Sequence, residues 1–316
     1  MLKSFKSMWR LPLMCIFAAM LLMGATCERT VDLDIDEPPP RLVVNSSFTL
    51  GERVEVTVSK SQSILDTALP EYLADAVVTL YQGETFLEQL ELFIDPAPRI
   101  PPYYVTTSFK PEAATTYTIR VEAVGFETVE ARSFIPEPVS LSGLQVSDLR
   151  EGTGSESYSR EFSYQIQIDF EDPEDEENYY HLNVFQEIFD ISVTQNGDTV
   201  VQSRRLERLP LMTNNNRIVP DMLIGGLLIK DKPAPEDLTF DVSIEIVPEF
   251  EALGKIYAEL RTVSKEYFLY FTTFNRQQNQ SDGPFNDPII IFNNVENGHG
   301  YFAGYNTTQD SVLLSF

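Results

Sequence analysis

A mainly β protein is what the sequence predicts, and three observations carry that expectation. Short runs alternate apolar and polar residues with period two, as in Val54, Val56, Val58 and in Phe162, Tyr164, Ile166, Ile168, Phe170. Turn residues punctuate the runs, among them Gly51, Gln82-Gly83 and Lys110-Pro111. Only one stretch, 264–278, places its aromatic residues at helical spacing: Tyr267, Phe268, Tyr270, Phe271 and Phe274.

In chain order, residues 1–26 carry only positive charge (Lys3, Lys6, Arg10), then an apolar run from Leu11 to Met23, then the small residues Gly24, Ala25 and Thr26. That order is a signal peptide's. The apolar run is shorter than the roughly 20 residues that span a bilayer. Cys27 comes directly after, where a lipoprotein signal peptidase cuts once a diacylglyceryl group has been attached to the thiol, so Cys27 is the expected lipidation site. The other cysteine of the 2, Cys15, lies inside the apolar run and leaves with it, so the mature chain has no disulfide and must be held by core burial. Residues 27–40, with Asp32, Asp34, Asp36, Glu37 and Pro38-Pro39-Pro40, read as an acidic, semi-extended tether.

Residues 41–136 are expected to form the first folded domain, with strands at 42–49, around Val54 to Val58, and at 76–81, 86–93, 103–109, 117–123 and 126–134. Seven short strands in about a hundred residues predict an immunoglobulin-like β-sandwich. The prolines of Ile135-Pro136-Glu137-Pro138 end the last strand and mark a boundary. Residues 137–316 are expected to form a second β-rich (α+β) domain, with strands at 141–146, 162–170, 179–185, 199–205 and 240–246 and a hairpin turn at Asn196-Gly197-Asp198. The helix at 264–278 comes next, with Ser264 as its cap and its aromatic face on the sheet. The segment 289–304 and a strand at 312–316 close the chain.

Charge narrows the function. The chain carries −25, and removing residues 1–26, which hold three of the 23 Lys+Arg and no acid, leaves 20 bases against 48 acids, or −28. Nucleic acid and anionic lipid headgroups are poor partners for such a field, so the membrane contact expected is the lipid anchor alone. The signatures of common hydrolase, nucleotide and zinc chemistry are missing: no Gly-x-Ser-x-Gly elbow, phosphate-binding glycine loop, His-Glu-x-x-His or paired Cys-x-x-Cys occurs. Two histidines, His181 and His299, in separate segments are thin material for catalysis and read better as structural or surface residues. No catalytic residue and no cofactor beyond the lipid on Cys27 is expected. The acidic run from Asp169 to Glu177 contains Asp172, Glu174 and Asp175, which could supply oxygen ligands to calcium; a solvated loop is the stronger reading, because the spaced acids and central glycine of an EF-hand loop are missing. Asp66-Thr67, Asp198-Thr199 and Asp310-Ser311 match a permissive O-glycosylation pattern.

Several stretches together resemble a family of Bacteroidetes outer-membrane lipoproteins known as a domain of unknown function, DUF4249. They are Cys27-Glu28 with Val31-Asp32-Leu33-Asp34, Leu42-Val43-Val44-Asn45, Tyr117 to Ala123 with Gly125-Phe126, Asp172-Pro173 with Asn178-Tyr179-Tyr180, Ser264-Lys265-Glu266-Tyr267-Phe268, and Asn293 to Gly298 leading to Gly300-Tyr301-Phe302-Ala303-Gly304. The resemblance implies place and company rather than chemistry. The expectation is a non-catalytic lipoprotein anchored in the outer membrane, facing the cell surface rather than the periplasm, and serving as accessory partner of a TonB-dependent receptor in nutrient uptake. Its ligand is unknown. Asn297, His299, Tyr301 and Phe302 are the candidate contact surface, with core closure by the same residues as the competing reading. The rival functions are a structural or adhesive envelope lipoprotein and a glycan hydrolase that acts through two carboxylates about 5 to 9.5 Å apart.

Overall fold

The computed structural model describes residues 39–63, 66, 68–96, 100–173, 176–279 and 289–314. Cys27, the expected signal peptide and the expected tether as far as Pro38 therefore lie outside the described residues, as do Thr67, Glu174 and Asp175. All the described elements fall in one unit, Pro40–Phe316.

The protein is mainly β, with one α-helix among the described residues. Its strands are β1 (Leu42–Thr49), β2 (Glu55–Lys60), β3 (Val77–Gln82), β4 (Thr85–Gln89), β5 (Glu91–Phe93), β6 (Tyr103–Val105), β7 (Thr116–Glu122), β8 (Val129–Phe134), β9 (Leu141–Thr153), β10 (Arg160–Phe170), β11 (Tyr179–Val193), β12 (Thr199–Arg208), β13 (Ile218–Pro220), β14 (Leu227–Lys230), β15 (Thr239–Ile246), β16 (Glu251–Val263), β17 (Val295–Glu296) and β18 (His299–Leu313). The helix, α1, spans Lys265–Gln278.

A ten-stranded sheet runs in the order β13-β14-β11-β16-β18-β1-β2-β6-β5, with β12 pairing β11 beyond β14. Two smaller sheets, β17-β8-β7-β3-β4 and β15-β10-β9, pack against it. Pairing is antiparallel throughout except between β1 and β18, which run parallel from Val43 opposite His299 to Thr49 opposite Tyr305.

Side-chain alternation places the cores. On β18 the even residue Phe302 joins Leu42, Val44 and Phe48 of β1 in the core beneath the five-stranded sheet. Farther along the same face, Val312 and Leu314 join Ile256, Ala258 and Leu260 of β16 in the core beneath β15-β10-β9. Two cores thus lie side by side on one face of the large sheet. The odd residues of β18, Tyr301, Ala303 and Tyr305, face the other way and pack with Tyr267, Phe268 and Phe271 of α1.

The connection from Phe134 to Val139 crosses β18 between the two cores. Asn306 Nδ2 donates to the Pro136 carbonyl at 3.3 Å, Thr308 Oγ1 donates to the Val139 carbonyl at 2.7 Å, and the Val139 N–H donates to Thr262 Oγ1 at 3.1 Å. Gly304 lies under this crossing, where an added Cβ would sit 2.1 Å from the Phe134 carbonyl oxygen. Only glycine lets the two backbones approach so closely.

Several boundaries differ from expectation. The strand expected over 86–93 is two strands, because Leu90 turns into the core at 4% exposure and its N–H donates to the Val78 carbonyl, sending β4 and β5 to different sheets. The strand expected over 103–109 stops at Val105, where Thr106 Oγ1 accepts the Val54 N–H and donates to the Phe109 carbonyl. The segment 289–304 and the strand expected at 312–316 are joined by β18, which runs unbroken over fifteen residues. The helix and its cap are where the sequence places them: Ser264 Oγ accepts the Tyr267 N–H.

Candidate functional site

Helix α1 presents two useful faces one residue apart in phase. Phe268, Thr272 and Arg276 recur every four residues and line a cleft; Tyr267, Phe271 and Asn275 recur in the same way one position earlier and point into the buried interface with the large sheet. The cleft lies at the β13 edge of that sheet and has a volume of about 660 Å3. Its apolar lining is Ile218, Val219, Ile229, Pro233, Ala234 and Phe268. Its polar lining comes from Asn215, Asn216 and Arg217 before β13, from Lys230 at the end of β14 and Asp231, Lys232 and Asp237 after it, and from Thr272 and Arg276 on the helix.

Most of these groups are held in place. Asn215 Nδ2 donates to Asp237 Oδ2 at 2.8 Å, while Asn215 Oδ1 accepts the Arg217 N–H at 2.9 Å and so tightens the turn into β13. Asp231 Oδ1 accepts the Asn178 N–H at 3.0 Å. Lys232 pairs with Asp169 at 2.6 Å and lies 5.6 Å from the Phe170 ring centroid, and Lys230 pairs with Glu177. These lysines hold the carboxyls of Asp169 and Glu177 below the usual range. Arg217 and Arg276 are exposed and have no ion-pair partner among the described residues.

Behind the helix lies a polar network. The His181 side chain is 0% exposed, with Nε2 2.6 Å from the Gly225 carbonyl oxygen and Nδ1 3.0 Å from the Tyr267 hydroxyl. A carbonyl can only accept, so Nε2 carries the proton and Nδ1 accepts from Tyr267. Burial pushes the His181 pKa down to about 4, against the pull of the Gly225 carbonyl, and the Arg261 and Arg208 charges lower it further. His181 is therefore neutral, and its 3.7 Å approach to Asp221 Oδ2 is not an ion pair at neutral pH. Asp221 Oδ1 accepts the N–H groups of Leu223 and Ile224, and burial pushes its carboxyl up. Asn275 ties this loop to the helix, accepting the Met222 N–H at 2.7 Å. Gly226, at φ +94°, backs onto the network: a Cβ there would lie 2.8 Å from His181 Nε2.

The residues singled out in the sequence are scattered. Asp172 uses both carboxylate oxygens, Oδ1 for the Tyr180 hydroxyl and Oδ2 for the Lys232 N–H, and among the described residues no group of three or more His, Cys, Asp or Glu is placed to hold a metal ion. Of the candidate contact surface, Asn297 and His299 are exposed, and the Tyr301 ring centroid lies 4.1 Å from that of Tyr270. Phe302 is corrected: it is 0% exposed and stacks on Phe48 at 4.3 Å, because even positions of β18 face the core. Thr199 is exposed and Ser311 half-buried.

The cleft escaped the sequence because its parts come from three separate stretches. A signal was present in Asn214-Asn215-Asn216-Arg217 and Lys230-Asp231-Lys232-Pro233, two short base-containing segments in a chain with about twice as many acids as bases.

No curated protein matches the chain. Among solved structures, it is similar to the three N-terminal domains of the highly immunogenic outer capsid protein (Hoc) of bacteriophage RB49, at 12% identity and a TM-score of 0.20, over 72% of this chain and 64% of that one. The chain thus spans less than two thirds of that structure, and the likeness is too slight to bear on fold or function. A family model described as a domain of unknown function, DUF4249, matches residues 28–311, almost the entire chain beyond Cys27, and the chain belongs to that family.

Proposed function

We propose that the protein is a non-catalytic lipoprotein of the Bacteroidetes outer membrane, acylated at Cys27, that binds a nutrient ligand beside a TonB-dependent receptor. The observation that carries the binding role is the cleft at the β13 edge, with apolar lining, anchored amides and cations, and a volume within the range of small-molecule sites. Both histidines stand outside it, His181 with both ring nitrogens occupied and His299 exposed at the start of β18. The signal-peptide pattern, the acidic segment behind Cys27 and membership of the family support the envelope location and the receptor as partner.

Affinity purification of the full-length protein from detergent-solubilised native membranes tests this reading. Recovery of a β-barrel receptor in near-stoichiometric amount is the expected result. Repeated recovery of the lipoprotein without any barrel would overturn the partnership.

A further inference from the structure

We propose that the cleft is a site for a small anionic ligand of sugar or organic-acid size, its carboxylate or phosphate held by Arg217 and Arg276 and its apolar edge laid against Phe268. This rests on reading the cleft as the ligand site and names the chemistry that site selects.

The charge inventory is what decides it. In a chain of −25, the cleft is lined by four cations and two acids, and with the two further acids that pair with its lysines it is locally balanced where the chain as a whole is strongly acidic. The two lysines are already neutralised from outside the lining, Lys230 by Glu177 and Lys232 by Asp169. The two acids accept hydrogen bonds from neutral groups, Asp231 from the Asn178 N–H and Asp237 from the Asn215 amide, and neither forms an ion pair among the described residues. What remains without an acid, among the described residues, is the arginine pair, one from the turn before β13 and one from the last helical turn. Guanidinium groups present planar, paired donors that match a carboxylate or a phosphate, and they surrender hydration more readily than an ammonium does.

The rest of the lining suits a ligand with more than a charge. The Asn216 amide, with no hydrogen-bond partner among the described residues, is free to meet hydroxyl groups, and the Phe268 ring supplies a flat apolar contact. Inorganic anions would use the arginines alone. A sugar acid or phosphosugar would use both halves of the cleft.

The test is calorimetric titration of the detergent-solubilised, full-length protein with D-glucuronate, inorganic phosphate and D-glucose. Saturable binding of glucuronate or phosphate, weakened roughly tenfold or more between low and 0.5 M salt, with no binding of glucose, is expected. Arg217→Gln together with Arg276→Gln should abolish it without moving the thermal midpoint, because both side chains are exposed, while Arg41→Gln should leave it intact. Preference for glucuronate over phosphate would assign a carboxylate, and the reverse order a phosphate; both support the inference. Failure of both anions to bind, binding of glucose as tight as glucuronate, or unchanged affinity in the double variant would each overturn it. None of those outcomes touches the receptor partnership, which the membrane purification tests separately.

Discussion

The two faces of the large sheet are built from alternate residues of the same strands, yet they solve different problems. On one face, β1, β16 and β18 contribute Val44, Phe48, Ile256, Leu260 and Phe302 to two apolar cores whose stabilisation is burial without direction. On the other, the neighbouring residues of β11, β16 and β18 include His181, Asn183, Arg261 and Tyr305, covered by a helix that brings Tyr267 and Asn275. An apolar core tolerates substitution that conserves volume, whereas a buried polar network demands a partner for each group. The layer under α1 meets that demand only in part, since Asn183 Oδ1 and Asp221 Oδ2 are buried there without a hydrogen-bond partner among the described residues.

The largest effect is expected from removing volume on the first face. Phe302→Ala should cost about 3 to 5 kcal/mol in urea unfolding, since the ring is wholly buried against Phe48. A loss under about 1 kcal/mol would mean that the core reading of β18 is wrong. Gly304→Ala should come next, at about 1 to 3 kcal/mol, through displacement of the Phe134 to Val139 crossing. Its effect should exceed that of Gly51→Ala measured the same way, where an added Cβ meets nothing within 4 Å and only the φ of +72° resists.

The second face should respond to pH where the first does not. His181 has a folded pKa of about 4 against 6.5 when free, so the unfolded chain takes up a proton that the folded chain refuses. Stability from this residue is complete above about pH 6.5 and declines as pH falls towards 4, by up to about 3 kcal/mol. His181→Gln should flatten that part of the profile relative to the unmutated protein, and an unchanged slope between pH 7 and 5 would contradict the buried neutral histidine. Tyr267→Phe should cost about 1 to 3 kcal/mol, because it leaves Nδ1 of His181 without its donor. The smallest effect expected is that of Ser264→Ala, about 1 kcal/mol, from loss of the helix cap.

How far the sequence could be read tracks the same division. β10 is legible because one face is core and the other solvent, so Phe162 to Phe170 alternate without a break. The helix is legible because its cap and its aromatic spacing agree. β16 is harder, since Glu251, Ala252, Leu253, Lys255, Ala258 and Glu259 favour helix locally, and the strand is imposed by pairing with β11 on one side and β18 on the other. The polar stretch of β18 looks like a gap between strands because Asn306 and Thr308 serve the crossing connection rather than a core. Acids were visible as acids, but whether Asp172 meets a cation or a tyrosine depends on β11 lying beside it. The cleft was out of reach for the same reason: its arginines are 59 positions apart in sequence, and only the packing of α1 against β13 and β14 joins them.

The proposed envelope role rests on chemistry at the start of the chain, and mass spectrometry of the amino-terminal peptide from membrane-extracted protein tests it most directly. A peptide beginning at Cys27, bearing a diacylglyceryl group and lacking residues 1–26, is the expected product. An unacylated terminus, or protein released freely into the medium, would contradict it.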